Sequence, residues 1–97
     1  MKPPETCRTS LIVTDSLGLH ARPAALLAKM AQQYDADIVM GCGRKKVNAK
    51  SVLGIMTLYV LKGAKVTIVA EGHDASAAII AMEALFASSF LEATVAT

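Results

Sequence analysis

The sequence predicts an α+β fold, a two-layer sandwich with one face of its sheet left open, and three observations carry that prediction. Segments with an alternating pattern and segments with a helical repeat follow one another in the order β-α-β-β-α-β-α. The helical segments carry apolar stripes, which must be buried on a sheet. Hydrophobic residues make up 54% of the 97 residues and charged ones 19%, enough apolar material for one small core. Aromatics are only 4%, so the core is expected to be built from small aliphatic side chains, with Tyr34, Phe86 and Phe90 as its largest members.

Each element has its own signal. After a flexible lead over about residues 1–6, "TSLIVT" (9–14) alternates as a strand and "DSLG" turns the chain. From Ala21 to about Tyr34 the apolar positions Ala24, Leu27, Ala28, Ala31 and Tyr34 recur at helical spacing, and Pro23 falls in the first turn, where a missing N–H costs nothing. "ADIVMGC" and "RKKVNA" read as two strands joined by a turn that Gly41 and Gly43 bracket. "SVLGIMTLYV" is ambiguous: its β-branched residues favour a strand, while Ser51 fits the N-cap of a short helix. "KVTIVAEG" alternates as a further strand. Asp74 then caps a C-terminal helix that carries Ala75, Ala78, Met82, Leu85 and Phe86 on one face. No repeat, linker or second domain interrupts residues 1–97, which are expected to form one domain.

Composition removes several classes of function. A net charge of +2, with Arg44, Lys45 and Lys46 as the densest basic cluster and no aromatics interleaved, does not fit nucleic-acid binding. The N-terminal stretch has no apolar signal region, and Glu83 interrupts the most hydrophobic run, so a cytoplasmic protein without stable membrane association is expected. Cys7 and Cys42 share no metal-binding or redox spacing and read as free thiols; no metal and no cofactor is expected.

The chemistry concentrates at "LGLHARPA", residues 17–24. His20 stands where a helix begins, and the first N–H groups of a helix have no intrahelical partner and face the positive end of its macrodipole. That is an anion site. The positive end disfavours imidazolium and so favours a neutral, nucleophilic ring. A phosphoryl group on His20 would meet the N–H groups of Ala21 and Arg22, the Arg22 guanidinium would add charge-assisted bonds, and Pro23 would fix the backbone that aims them. Chemistry alone leaves this reading level with the plainer one, a loop histidine beside an ordinary helix start. His73, in "EGHD", reads as a solvated loop residue.

"GLHARPA", then "VNAKSVLGIM", then "GAKVTIVAEGHD" before a helix resembles the HPr family, the histidine phosphocarriers of the bacterial phosphotransferase system, over about Leu11 to Phe90. The resemblance implies an open-faced β-sandwich: a four-stranded antiparallel sheet covered on one face by three helices, with the ambiguous segment helical from Ser51. It implies that His20 accepts a phosphoryl group on Nδ1 from Enzyme I, which phosphoenolpyruvate charges, and passes it to an EIIA protein or domain. Arg22 corresponds to the arginine that assists transfer and Pro23 to the motif proline. Ser51 corresponds to the serine that an HPr kinase/phosphorylase modifies in many members. The chain is then a carrier and not an enzyme, and it is expected to act as a monomer. Leu17 and "ALFASSF" resemble the nitrogen-related branch, NPr, whereas "VNAKSVLGIM" resembles the sugar branch. Tyr59 departs from the family, which commonly has glycine there.

A carrier reuses one face for several partners. Leu26 and Met30 lie off the core stripe of the first helix, and Val52, Leu53 and Met56 sit on a helix too short to bury every side, so these five are the expected docking patch. Lys29 and Lys50 are its expected rim charges. The competing enzyme reading, a small α+β phosphatase of the acylphosphatase kind, needs an anion-binding loop with an arginine and a water-orienting asparagine. Arg22 and Asn48 form no such loop in the sequence.

Overall fold

Four strands and three helices follow one another as β1 (Glu5–Ile12), α1 (Ala21–Ala31), β2 (Asp37–Cys42), β3 (Lys45–Asn48), α2 (Val52–Thr57), β4 (Lys65–Gly72) and α3 (Ala75–Ala87). The computed structural model describes residues 5–88. Its sheet has the order β1-β4-β2-β3 and is antiparallel throughout. Only β2 and β3 are both sequence neighbours and sheet neighbours; the central pairings of β4 with β1 and β2 join distant segments.

Alternation decides which side of the sheet is covered. On β2 and β4 the inward set is Ile38, Met40, Val66, Ile68 and Ala70, all buried. The outward set includes Val39, Thr67 and Val69, which stay partly or fully exposed on the open face. The helices bury Ala24, Leu27, Ala28 and Ala31 from α1, Ile55 from α2, and Ala75, Ala78, Ile79, Met82, Leu85 and Phe86 from α3 against that inward set. So many alanines let helix and sheet approach closely, which is how a core with few aromatics still fills. Phe86 is buried, Tyr34 packs at the core's edge, and Phe90 lies outside the described residues.

Several boundaries differ from the sequence reading. β1 begins at Glu5, within the expected lead, because Glu5 and Thr6 pair with Gly72 and Glu71 on β4. It ends at Ile12, though Val13 continues the edge by donating its N–H to the Ala64 carbonyl at 3.0 Å. α1 stops at Ala31, three residues short of Tyr34. Asp74 is the N-cap of α3 but does not cap it with its side chain: Oδ2 accepts from the Asp35 N–H at 2.7 Å, tying the start of α3 to the entrance of β2. Ser51, by contrast, caps α2 as expected, accepting from the Gly54 N–H at 3.0 Å.

Candidate functional site

The loop between β1 and α1 is held from within. Asp15 accepts the Leu17 N–H on Oδ1 at 2.9 Å, and its carbonyl accepts the Gly18 N–H at 2.9 Å, so one aspartate folds a compact turn. Gly18 lies at φ +71, and a Cβ there would stand 2.2 Å from the Val60 carbonyl oxygen. Leu19 is buried and donates its N–H to that same oxygen at 3.0 Å. The turn is thereby clamped to the segment that follows α2, and the next residue in line is His20.

His20 is the N-cap of α1, with extended backbone (φ −80, ψ −171) and no capping bond from its ring. Its carbonyl accepts the Ala24 N–H at 3.0 Å, so the helix starts immediately beneath it. Ala21 and Arg22 occupy the first two helical positions and are exposed, and Pro23, third, is buried. The first turn holds no acidic residue to neutralise the positive helix end. The imidazole is half-buried, with Nε2 3.7 Å from Asp15 Oδ2. That separation is too long for a hydrogen bond but close enough for charge to be felt.

Asp15 is the residue that the sequence reading missed. It lies five positions before His20 in what reads as an ordinary "DSLG" turn. The turn was legible; that it would carry a carboxylate oxygen back to the histidine was not.

The other expected residues divide. Leu53, Met56 and Lys29 are exposed. Leu26, Met30 and Val52 are not an exposed patch: they are half-buried and packed against the core. Lys50 is half-buried: its ammonium donates to the Tyr34 carbonyl at 3.0 Å while its own carbonyl accepts from Gln32 Nε2 at 2.9 Å. Those two bonds hold the N-terminus of α2 beside the C-terminus of α1. Ser51 is therefore at the far end of α1 from His20, separated by a helix of 11 residues, roughly 16 Å at the α-helical rise. It is the C-terminal end of α2, through Leu58–Val60, that approaches the histidine loop. Tyr59 lies there at φ +57, alone among the described non-glycine residues in having a positive φ. A left-handed backbone is what makes glycine the common choice at this position. Cys7 and Cys42 are free thiols, and no group of three or more potential metal ligands comes together among the described residues.

Residues 7–88 match the family model described as the PTS HPr component phosphorylation site. The chain is 42% identical over 74 residues to the phosphocarrier protein HPr of Mycoplasma capricolum, covering 76% of this chain and 83% of that protein. Among solved structures it resembles HPr-C-His from Thermoanaerobacter tengcongensis, at 42% identity and a TM-score of 0.84 over 87% of this chain and 94% of that one. It also resembles the Mycoplasma histidine-containing phosphocarrier protein, at 36% identity and a TM-score of 0.82 over 87% and 97%. These solved structures share the open four-stranded antiparallel sheet with its three helices. Alike in sequence and fold over more than four-fifths of its length, this chain belongs to the HPr family, the phosphocarriers of the phosphotransferase system.

Proposed function

We propose that His20 is the phosphoryl-bearing residue, taking the group on Nδ1 from Enzyme I and surrendering it to an EIIA protein or domain. The observation that carries this reading is the half-exposed ring at the mouth of α1 with Nε2 turned towards Asp15, which leaves Nδ1 as the nitrogen for chemistry. In the step, the Nδ1 lone pair attacks phosphorus. The bond from phosphorus to the donor breaks, and its electron pair leaves with the donor. The ring gains positive charge as the N–P bond forms, and the Asp15 carboxylate stabilises it across 3.7 Å. The new phosphoryl oxygens meet the positive end of α1, and the Arg22 guanidinium assists by stabilising their charge. Transfer onward is the same step reversed on a second partner, so the chain is a carrier with no turnover of its own. Incubation with phosphoenolpyruvate and Enzyme I should label the protein on His20 alone, with an acid-labile, base-stable linkage, and His20→Ala should take up nothing. Label on that variant would sink the assignment.

Ser51 is read as a second, regulatory phosphorylation site for an HPr kinase/phosphorylase. Its hydroxyl caps α2, and a phosphate there would still face the positive end of a helix, so the fold should survive. The dianion, with roughly −1.5 to −2 charges, would act on partner docking beside exposed Leu53 and Met56, not on the distant imidazole. Ser51→Asp should keep its circular dichroism spectrum and accept phosphoryl groups from Enzyme I more slowly. Acceptance at the wild-type rate would reduce Ser51 to a cap.

A further inference from the structure

The open face of the sheet is sorted by charge along its strands. The pairing register sets the outward residues in four rows across it. One end row holds Thr6, Glu71 and Asp37, and the opposite end row holds Ile12 and Lys65. Between them lie Arg8, Val69, Val39 and Asn48 in one row, then Ser10, Thr67, Gly41 and Lys46 in the next. Both acids thus stand in the first row, and the cations Arg8, Lys46 and Lys65 in the others. Val39 and Ile12 are exposed apolar side chains on this face.

Gly41 is a second, independent signal. It leaves β2 without a side chain at an outward position and helps line a groove of about 540 Å³ between Val39, Val69, Lys46 and Lys65. Nothing within the chain demands glycine there. Its φ lies outside the left-handed region, and a Cβ would meet no heavy atom closer than 3.4 Å. A strand interior without a side chain often marks the close approach of a ligand or another chain.

We propose that two copies of this chain associate through the open faces of their sheets, about a two-fold axis running across the strands between the two middle rows. That axis lays each row over its counterpart, as a self-complementary interface requires. Glu71 of one copy then faces Lys65 of the other, and Asp37 stands over the Gly43 turn between Lys65 and Lys46. Val39 enters the gap above Gly41, and Val69 meets Thr67. Arg8 meets Ser10 and Asn48 meets Lys46, so no like charges oppose one another. Each pairing occurs twice. Sheets packed in this way stand about 10 Å apart with their strands within about 30° of alignment, a gap that these side chains span.

The size of the face sets the strength. Strands about 4.8 Å apart and rows about 6.8 Å apart give roughly 400–500 Å² on each copy, which is the low end for specific interfaces and makes the dimer weak and reversible. The helices pack against the other side of the sheet, so both helix layers stay outermost in the pair. The inference is independent of the role given to His20.

The test is sedimentation equilibrium of the intact chain over a range of concentrations and salt, with circular dichroism as a check on folding. The wild type should show a monomer–dimer equilibrium that weakens as salt rises. Lys65→Glu and Glu71→Lys, both at exposed positions, should each weaken the dimer at least about tenfold. The variant carrying both changes should recover it to within about threefold, because the pair is only exchanged. Gly41→Val should lose the dimer without melting lower, since the added carbons have room within the chain. A wild type that stays monomeric at about 1 mM overturns the proposal. A dimer indifferent to both charge reversals overturns it as well, because another face then holds the copies together. Amide shifts at Val39, Gly41 and Val69 on titration with poly-glutamate, with no dimer, would also overturn it and give the groove to an acidic partner.

Discussion

At the residue scale, His20 stands beside the aspartate that folds its loop. Asp15 makes two contributions: Oδ1 and the carbonyl fold the turn, and Oδ2 faces the ring at 3.7 Å. The side chains are 35% and 27% exposed, so solvent screens the contact, and when the ring carries charge its worth is that of an exposed ion pair, ~0.2–1 kcal/mol. Asp15→Asn keeps an oxygen to accept the Leu17 N–H and removes only the charge. The expected result is a fall in the single-turnover transfer rate of about two- to fivefold, with Enzyme I affinity unchanged. A rate equal to wild type would show that Asp15 folds the turn and does nothing for the imidazole.

At the element scale, the histidine loop and the segment after α2 are one unit because Gly18 permits it. Its left-handed φ is one requirement and the lack of a Cβ facing the Val60 oxygen is the other. Gly18→Ala meets both penalties. Left-handed strain alone is about 1–2 kcal/mol, and the clash adds to it unless the loop withdraws. Withdrawal would break the Leu19–Val60 bond and move His20 off the helix mouth. The variant should therefore lose thermal stability and phosphoryl acceptance together, whereas wild-type acceptance at a lowered melting temperature would mean the loop tolerates the shift. The caps teach a related lesson. Ser51 and Asp74 look alike in sequence as helix-starting residues, yet Ser51 caps its own helix and Asp74 bonds Asp35 across the fold.

At the scale of the whole molecule, the site is carried by a single core laid on the inward face of the sheet. Ile68 is fully buried on β4, one of the two strands bonded on both sides, opposite Thr9 of β1 and Met40 of β2. Ile68→Ala removes three carbons where the sheet cannot collapse freely, so a loss of about 2–5 kcal/mol is expected. Denaturant unfolding followed by circular dichroism checks it. Because Ile68 belongs to the core and not to the histidine loop, the folded fraction should still accept phosphoryl groups at the normal rate.

Local chemistry made much of this protein readable in its sequence. The alternation of "KVTIVAEG" delimits β4 from Lys65 to Gly72, and the stripe from Ala24 to Ala31 identifies the buried face of α1. The serine at the start of α2 announces a cap, and "GLHARPA" announces the histidine at a helix mouth. Each of these signals rests on residues a few positions apart. The tertiary structure decided what depends on distant segments meeting. β1 starts at Glu5 because β4 supplies partners for a polar stretch with no pattern of its own. Lys50 reaches the Tyr34 carbonyl, in the turn beyond α1, because the fold brings the start of α2 beside it. Leu26, Met30 and Val52 are half-buried because a helix face that looks spare in one segment is covered by another. Tyr59 looks out of place in the sequence, and the left-handed turn that accounts for it forms only where the chain leaves α2 to meet the histidine loop. Periodicity and capping are properties of neighbours in the chain, whereas burial, register and the reach of a charged side chain are set by which segments the fold brings together.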